Sequence, residues 1–222
     1  MKETRKQLPE EIEQESFRTI ERELEEMALS AHAMHTLSDV HTAAVVKRCI
    51  HTSADFDYAE NLYFSDGVTG KIADAIRRGV PIVTDTEMAK AGINKRRLAA
   101  YGCEVHCFMS DPDVAESAKK AGTTRAVASV DKASELSKNL GPVIYVVGNA
   151  PTALFRIREL FEAGSFLPEA VIAAPVGFVN VVEAKEEIFD LPVPYIVARG
   201  RKGGSNIAAC IVNAILYDME KK

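Results

Sequence analysis

The sequence predicts an α/β protein: a three-layer αβα arrangement about a mainly parallel sheet, in a single domain spanning residues 1–222. Three observations carry this. Short β-rich runs alternate with helical runs along most of the chain, the signature of parallel strands joined by crossover helices. Strand candidates such as Val143-Ile144-Tyr145-Val146-Val147 are apolar throughout, as expected when helices cover both faces of the sheet. No repeat, low-complexity tract or Pro/Gly-rich linker interrupts the alternation, so no domain boundary is drawn.

The elements follow in order. Pro9 to Met27 spaces Ile12, Phe17, Ile20 and Leu24 at near-helical intervals among many charges, with Pro9 suited to a first turn. Ser38-Asp39 offers an N-cap to a second helix reaching about Ala54, with Ala43, Val46, Ile50 and Ala54 on one stripe. Strands are then expected at Asn61–Phe64, Pro81–Thr84, Glu104–Phe108, Val143–Val147, Ala170–Ala174 and Tyr195–Ala198. Helices fill the gaps at about Gly67–Arg78, Pro112–Ala121, Arg125–Lys138, Pro151–Ala163, Glu183–Phe189 and Gly204–Met219.

Composition bounds the partners. With 47% hydrophobic residues in 222, folding hides roughly 70% of the unfolded chain's surface, enough for a self-sufficient core. Lys and Arg total 27 against 32 Asp and Glu, a net charge of −5, without the surplus base of a nucleic-acid binder. No apolar run approaches the roughly 20 residues that span a bilayer, and residues 1–26 have no apolar signal core, so the expected location is cytoplasmic, away from membranes. Cys49, Cys103, Cys107 and Cys210 are scattered, and reduced thiols are expected. Cys103 and Cys107 would stand about 13 Å apart along a strand, too far for one metal ion, so no metal site is expected.

In open α/β sheets, ligands bind beyond the carboxyl ends of the strands, so the strand-to-helix loops carry the functional candidates. Gly148-Asn149-Ala150-Pro151-Thr152 opens a helix after the most apolar strand; its amides suit an anion, or the segment is a tight turn with an ordinary cap. Gly200-Arg201-Lys202-Gly203-Gly204-Ser205 sets two cations in flexible backbone before another helix, for a carboxylate or phosphate or as a solvated turn. Gly177, in Pro175-Val176-Gly177-Phe178, lies at a third strand end. Neither glycine-rich loop matches a nucleotide-binding pattern. His51 borders the apolar face of the second helix, with Arg48 at i−3 and Asp55 at i+4 on the same side if the helix extends that far. It reads as a ligand-facing group or as an ordinary helix-end histidine. Asp85 and Glu87 suit acid–base work or, preferably, helix capping, and Arg125 sits where a helix starts.

Together these segments resemble the precorrin-8X methylmutase family of corrin (vitamin B12) biosynthesis, including its cobalt-precorrin-8 members. The resemblance rests on Ser16-Phe17, Arg48-x-x-His51, Asp85-x-Glu87-Met88, Thr124-Arg125, Gly148-Asn149-Ala150-Pro151-Thr152-Ala153-Leu154, Pro175-Val176-Gly177-Phe178-Val179 and Arg199-Gly200-Arg201-x-Gly203-Gly204-Ser205, in order over nearly the whole chain. It implies a homodimeric isomerase that moves a methyl group from C-11 to C-12 of a tetrapyrrole. No external cofactor takes part, and any cobalt belongs to the substrate. By the same resemblance His51 is the general acid, and Ser16 and Arg48 contact substrate. A ring rimmed with carboxylates needs concentrated donors, for which the candidates are Arg125, Arg199, Arg201, Lys202 and the loop residues Gly148, Asn149, Thr152, Gly177, Gly203, Gly204 and Ser205. Asp85 and Glu87 are expected to organise neighbours rather than to catalyse. Competing classes are a non-catalytic corrinoid carrier and a phosphate-ligand enzyme using the two glycine loops.

Overall fold

The computed structural model describes residues 8–220, the side chain of Glu10 excepted. In chain order the elements are α1 (Pro9–Glu26), α2 (Ala31–Ser38), α3 (Val40–Ser53), α4 (Tyr58–Asn61), β1 (Leu62–Phe64), α5 (Val68–Arg77), β2 (Ile82–Thr84), α6 (Glu87–Gly92), α7 (Lys95–Ala99), β3 (Val105–Cys107), α8 (Pro112–Ala121), α9 (Arg125–Leu140), β4 (Ile144–Val147), α10 (Pro151–Glu162), β5 (Ala170–Ala173), α11 (Val181–Glu186), a 3-10 turn (Glu187–Asp190), β6 (Tyr195–Ala198) and α12 (Ser205–Asp218).

All six strands join one sheet in the order β1-β6-β5-β4-β2-β3. Five are parallel, and β1 pairs antiparallel with β6 through Leu62–Ala198 and Phe64–Ile196. Side-chain alternation explains the layers. Ile82, Ile144, Val146, Ile172 and Ile196 point to one face, against Val46 and Ile50 of α3, Ile72 and Ile76 of α5, and Ile207 to Leu216 of α12. Val83, Tyr145, Val147, Val171 and Val197 point to the other, against α8, α9, α10 and α11. Continuous apolar strands therefore serve two cores at once, and the three-layer expectation holds.

The ends of the elements follow local chemistry. Proline stands at the first turn of α1, α8 and α10. The Asp39 carboxylate caps α3 by accepting from the amides of His41 and Thr42, both at 2.9 Å. The first helix, the strands and the last helix lie within a residue or two of their predicted bounds, whereas α2, α4 and α7, all of eight residues or fewer, were not expected. Such short helices carry too few turns to show a periodicity. The predicted helix at Glu183–Phe189 is instead α11, two residues earlier, running into the 3-10 turn.

Two features position the functional loops. The strand order turns at β2, which has β3 on one side and β4 on the other, so the crevice of the sheet opens at the carboxyl ends of β2 and β4. Helices α3 and α12 pack antiparallel: Thr52 Oγ1 lies 3.1 Å from Cys210 Sγ near one end, and His41 Nδ1 2.5 Å from Asp218 Oδ2 at the other. Since α12 starts beside the strand carboxyl ends, the end of α3 bearing His51 is brought to that same end of the molecule.

Candidate active site

His51 occupies the last turn of α3 and is exposed to solvent. Its ring stacks on Phe17 of α1, with centroids 5.1 Å apart and planes 19° from parallel. The guanidinium of Arg48 lies 4.7 Å from the centre of the same phenyl ring and pairs with Glu13. A cleft of about 350 Å³ between α1 and α3 is lined by Ser16, Thr19, Ile20, Ile50, His51 and Phe56. Ser16 and His51 thus share one cavity, while Arg48 lines the neighbouring cleft with Phe17 and Tyr217. The Ser16 hydroxyl donates to the carbonyl of Ile12 at 2.8 Å.

Helix α3 stops at Ser53 because Ala54 adopts a left-handed conformation, φ 54°. Asp55 therefore leaves the helix face on which it was expected beside His51. It turns instead toward Lys202, whose ammonium is held by Asp55 at 2.6 Å and Asp57 at 2.5 Å. Burial pushes the Asp55 carboxyl up, but the bond from Lys202 and the amide of Asp57 outweigh it and hold it below its usual range. The two carboxylates raise Lys202. This grip ties the loop after β6 to the end of α3.

The loop after β6 also packs tightly on its neighbours. A Cβ on Gly203, at φ 157°, would meet the carbonyl oxygen of Ala174 at 2.2 Å. The amide of Gly204 donates to that oxygen at 2.8 Å, and the amide of Gly177 donates to Arg201 at 3.2 Å. Ser205, first in α12, shares a 2.8 Å hydroxyl contact with Thr86, and Thr86 also caps α6. Its backbone leaves no room for a side chain at Gly148, where a Cβ would come within 2.7 Å of the Ser205 Cα. The loops after β2, β4, β5 and β6 thus form one interlocked surface.

At the crevice between β2 and β4 the carboxylate of Asp85 accepts three amides: Gly148 at 2.7 Å, Asn149 at 2.8 Å and Ala150 at 2.7 Å. Asp85 is fully buried, and burial pushes its carboxyl up against the opposing pull of those donors. The amides that the sequence offered to an anion are occupied by the protein's own acid. This corrects the expectation of open donors at Gly148 and Asn149; these residues shape the loop through Asp85.

A family model described as precorrin-8X methylmutase matches residues 11–218. The chain belongs to the precorrin-8X methylmutase family. A cobalt-precorrin-8 methylmutase of Salmonella typhimurium is 47% identical over 80% of this chain and 82% of that protein. A precorrin-8X methylmutase of Pseudomonas aeruginosa is 35% identical over 94% of this chain and 95% of its own. The crystal structure of a precorrin-8X methylmutase from Thermus thermophilus superposes with a TM-score of 0.81 at 38% identity, covering 94% of this chain and 95% of that one. The protein is accordingly a methylmutase, an isomerase of cobalamin biosynthesis.

In this methylmutase the predicted cations divide into two groups. Arg199 is held bidentately by Glu186 at 2.8 and 2.9 Å and lies over Tyr63 and Phe189, and Arg48 and Lys202 are also ion-paired. Arg125 and Arg201 are exposed and make no ion pair among the described residues; Arg201 lies 5.6 Å from the centre of the Phe178 ring. Arg125 heads α9 and Thr152 lies in the first turn of α10, both on the far layer from His51, where Thr124 bonds Thr152 at 3.1 Å. The fold therefore gathers Ser16, Arg48, His51 and Lys202 and leaves Arg125 and Thr152 on the opposite side of the sheet.

Sequence reasoning missed Lys185. It is fully buried in α11, and its ammonium donates to the carbonyls of Gly200 at 2.9 Å and Lys202 at 2.8 Å. A signal existed: Val181, Ala184 and Ile188 form an apolar stripe on which Lys185 falls at i+4 from Val181. Phe17 was legible only as part of a string; its contact with both His51 and Arg48 is tertiary.

Proposed function

We propose that this methylmutase moves a methyl group from C-11 to C-12 of the corrin macrocycle with His51 as general acid, and that its natural substrate is cobalt-precorrin-8. The carrying observation is the placement of His51: solvent-facing, stacked on Phe17, lining a cleft with Ser16, and joined through Asp55 and Asp57 to the glycine loop of Arg201. The C-11–methyl bond breaks as the C-12–methyl bond forms. Substrate and product are isomers, so the proton lent by His51 during the shift is recovered and no external co-reactant is consumed. A positioned imidazole suits this as proton donor, and orientation of the ring supplies the rest of the acceleration.

Arg201, unpaired within the described residues and set over Phe178, takes a peripheral carboxylate, while Arg199 and Lys202 shape the loop that presents it. Cobalt, as part of the substrate, is favoured because the 47% identical relative is a cobalt-precorrin-8 enzyme and the 35% identical one a precorrin-8X enzyme. A homodimer is supported by the exposed apolar run Val176, Phe178 and Val179, and cytoplasmic residence by four free cysteines; among the described residues no helix is long and apolar enough to cross a membrane.

The test is anaerobic incubation with cobalt-precorrin-8 and, separately, precorrin-8X, followed by absorption spectroscopy for wild type and His51→Ala. Conversion by wild type alone supports the assignment, and the faster substrate names the natural one. Equal spectral shifts without conversion in both proteins would make the protein a corrinoid carrier. Light scattering of the purified protein decides the dimer.

A further inference from the structure

The loop from β6 to α12 leaves the sheet for the layer of α3 and α12, and it is gripped from both helical layers. From the α11 layer, Lys185 reaches under it and donates to the carbonyls of Gly200 and Lys202. From the α3 layer, Asp55 and Asp57 hold the ammonium of Lys202. Lys202 is thus fixed at its backbone by one layer and at its side chain by the other, with Arg201 between the two carbonyls that Lys185 holds. Together with the Gly177 amide on the Arg201 carbonyl, these contacts set where Arg201 points.

We infer that Lys185 is a positioning residue for substrate: it fixes the Gly200–Lys202 backbone so that Arg201 meets a substrate carboxylate and the loop stays docked beside His51. A lysine buried at this depth is unusual unless its hydrogen bonds are needed, and both acceptors here are carbonyls of the loop. Among the described residues no carboxylate partners it; the nearby acid, Glu186, is engaged by Arg199. Lys185 itself has no solvent exposure and touches no substrate, so its influence passes through the loop.

The inference rests on the binding role proposed above for the loop, and its test separates the two. Steady-state constants are measured with the preferred substrate for wild type, Lys185→Met, Lys202→Met and the double variant, with thermal melting as a folding control. Lys185→Met raises KM about tenfold or more, with kcat within about twofold, because binding geometry is lost while His51 stays in place. Lys202→Met raises KM as well, and the double variant is no worse than the larger single defect, since both act on one loop. Lys185→Gln, which keeps an N–H donor, falls between wild type and Lys185→Met and replaces the latter if that variant does not fold. An unchanged KM in Lys185→Met, or defects that multiply in the double variant, overturns the inference. Failure of the functional reading shows differently, as full activity in His51→Ala.

Discussion

Two loops of this protein carry the same outward pattern, a glycine just after a strand in a segment that opens a helix, and the structure uses them in opposite ways. The loop at Gly148–Ala150 receives a buried carboxylate, Asp85, from the neighbouring strand end, and its amides are saturated inside the protein. The loop at Gly200–Gly204 is held by cations and carboxylates at its edges, which leaves Arg201 facing outward. An anion-binding backbone is therefore no guarantee of an anionic ligand, because the protein can supply the anion itself. The first loop is a structural joint at the crevice of the sheet; the second leaves an arginine exposed, the one proposed to meet substrate.

The largest effect that sharpens this contrast lies beside the open loop. His51→Ala lowers kcat by about 10² to 10⁴, or roughly 3 to 5 kcal/mol of barrier, with substrate binding and melting temperature retained. Single-turnover spectra under anaerobic conditions measure it. The closed loop responds in stability. Asp85→Ala leaves three amides without their acceptor and destabilises the fold by about 3 to 5 kcal/mol, read from chemical denaturation. A fully stable Asp85→Ala protein with weakened substrate binding would break the comparison, since the first loop would then be a ligand site.

Protonation of Lys185 gives a third handle. Burial lowers its pKa from an ordinary 10.5 to about 7. Between those values the unfolded chain holds one more proton than the folded one, so this group makes the fold more stable as pH rises, by up to about 1.4 kcal/mol per pH unit. Below about pH 7 the amine is charged in both states and the slope from this group vanishes. Denaturation midpoints from pH 7 to 9 should rise more steeply in wild type than in Lys185→Met. Next in size, Arg201→Ala raises KM by about five- to tenfold, roughly 1 kcal/mol, with unchanged melting, whereas Arg199→Ala affects melting as well because it breaks the Glu186 pair. Smallest, Ala54→Gly relieves the left-handed backbone that ends α3 and stabilises by about 1 kcal/mol or less in a thermal melt.

Much of this was legible in sequence. Apolar runs of four or five residues gave the strands, Pro9, Pro112 and Pro151 marked helix starts, and Asp39 marked the cap of α3, because each is a local preference acting within a few residues. The order of the motifs from Ser16 to Ser205 was enough to indicate the family. The antiparallel pairing of β1 was not legible, since a three-residue strand carries no mark of its direction.

What the tertiary structure alone decided are the partners of charges. Asp85 meets amides 63 to 65 residues away, and Lys202 meets Asp55 and Asp57 across 147 and 145 residues. Nothing in the neighbourhood of Arg201 or Arg199 in the chain tells that, among the described residues, one makes no ion pair and the other is held by Glu186, and Lys185 looks like any surface lysine until α11 is laid under the loop. Periodicity and capping depend on contacts within a turn or two of backbone. Charge pairing and burial depend on which elements the sheet order brings together, and that order is fixed only when both cores close.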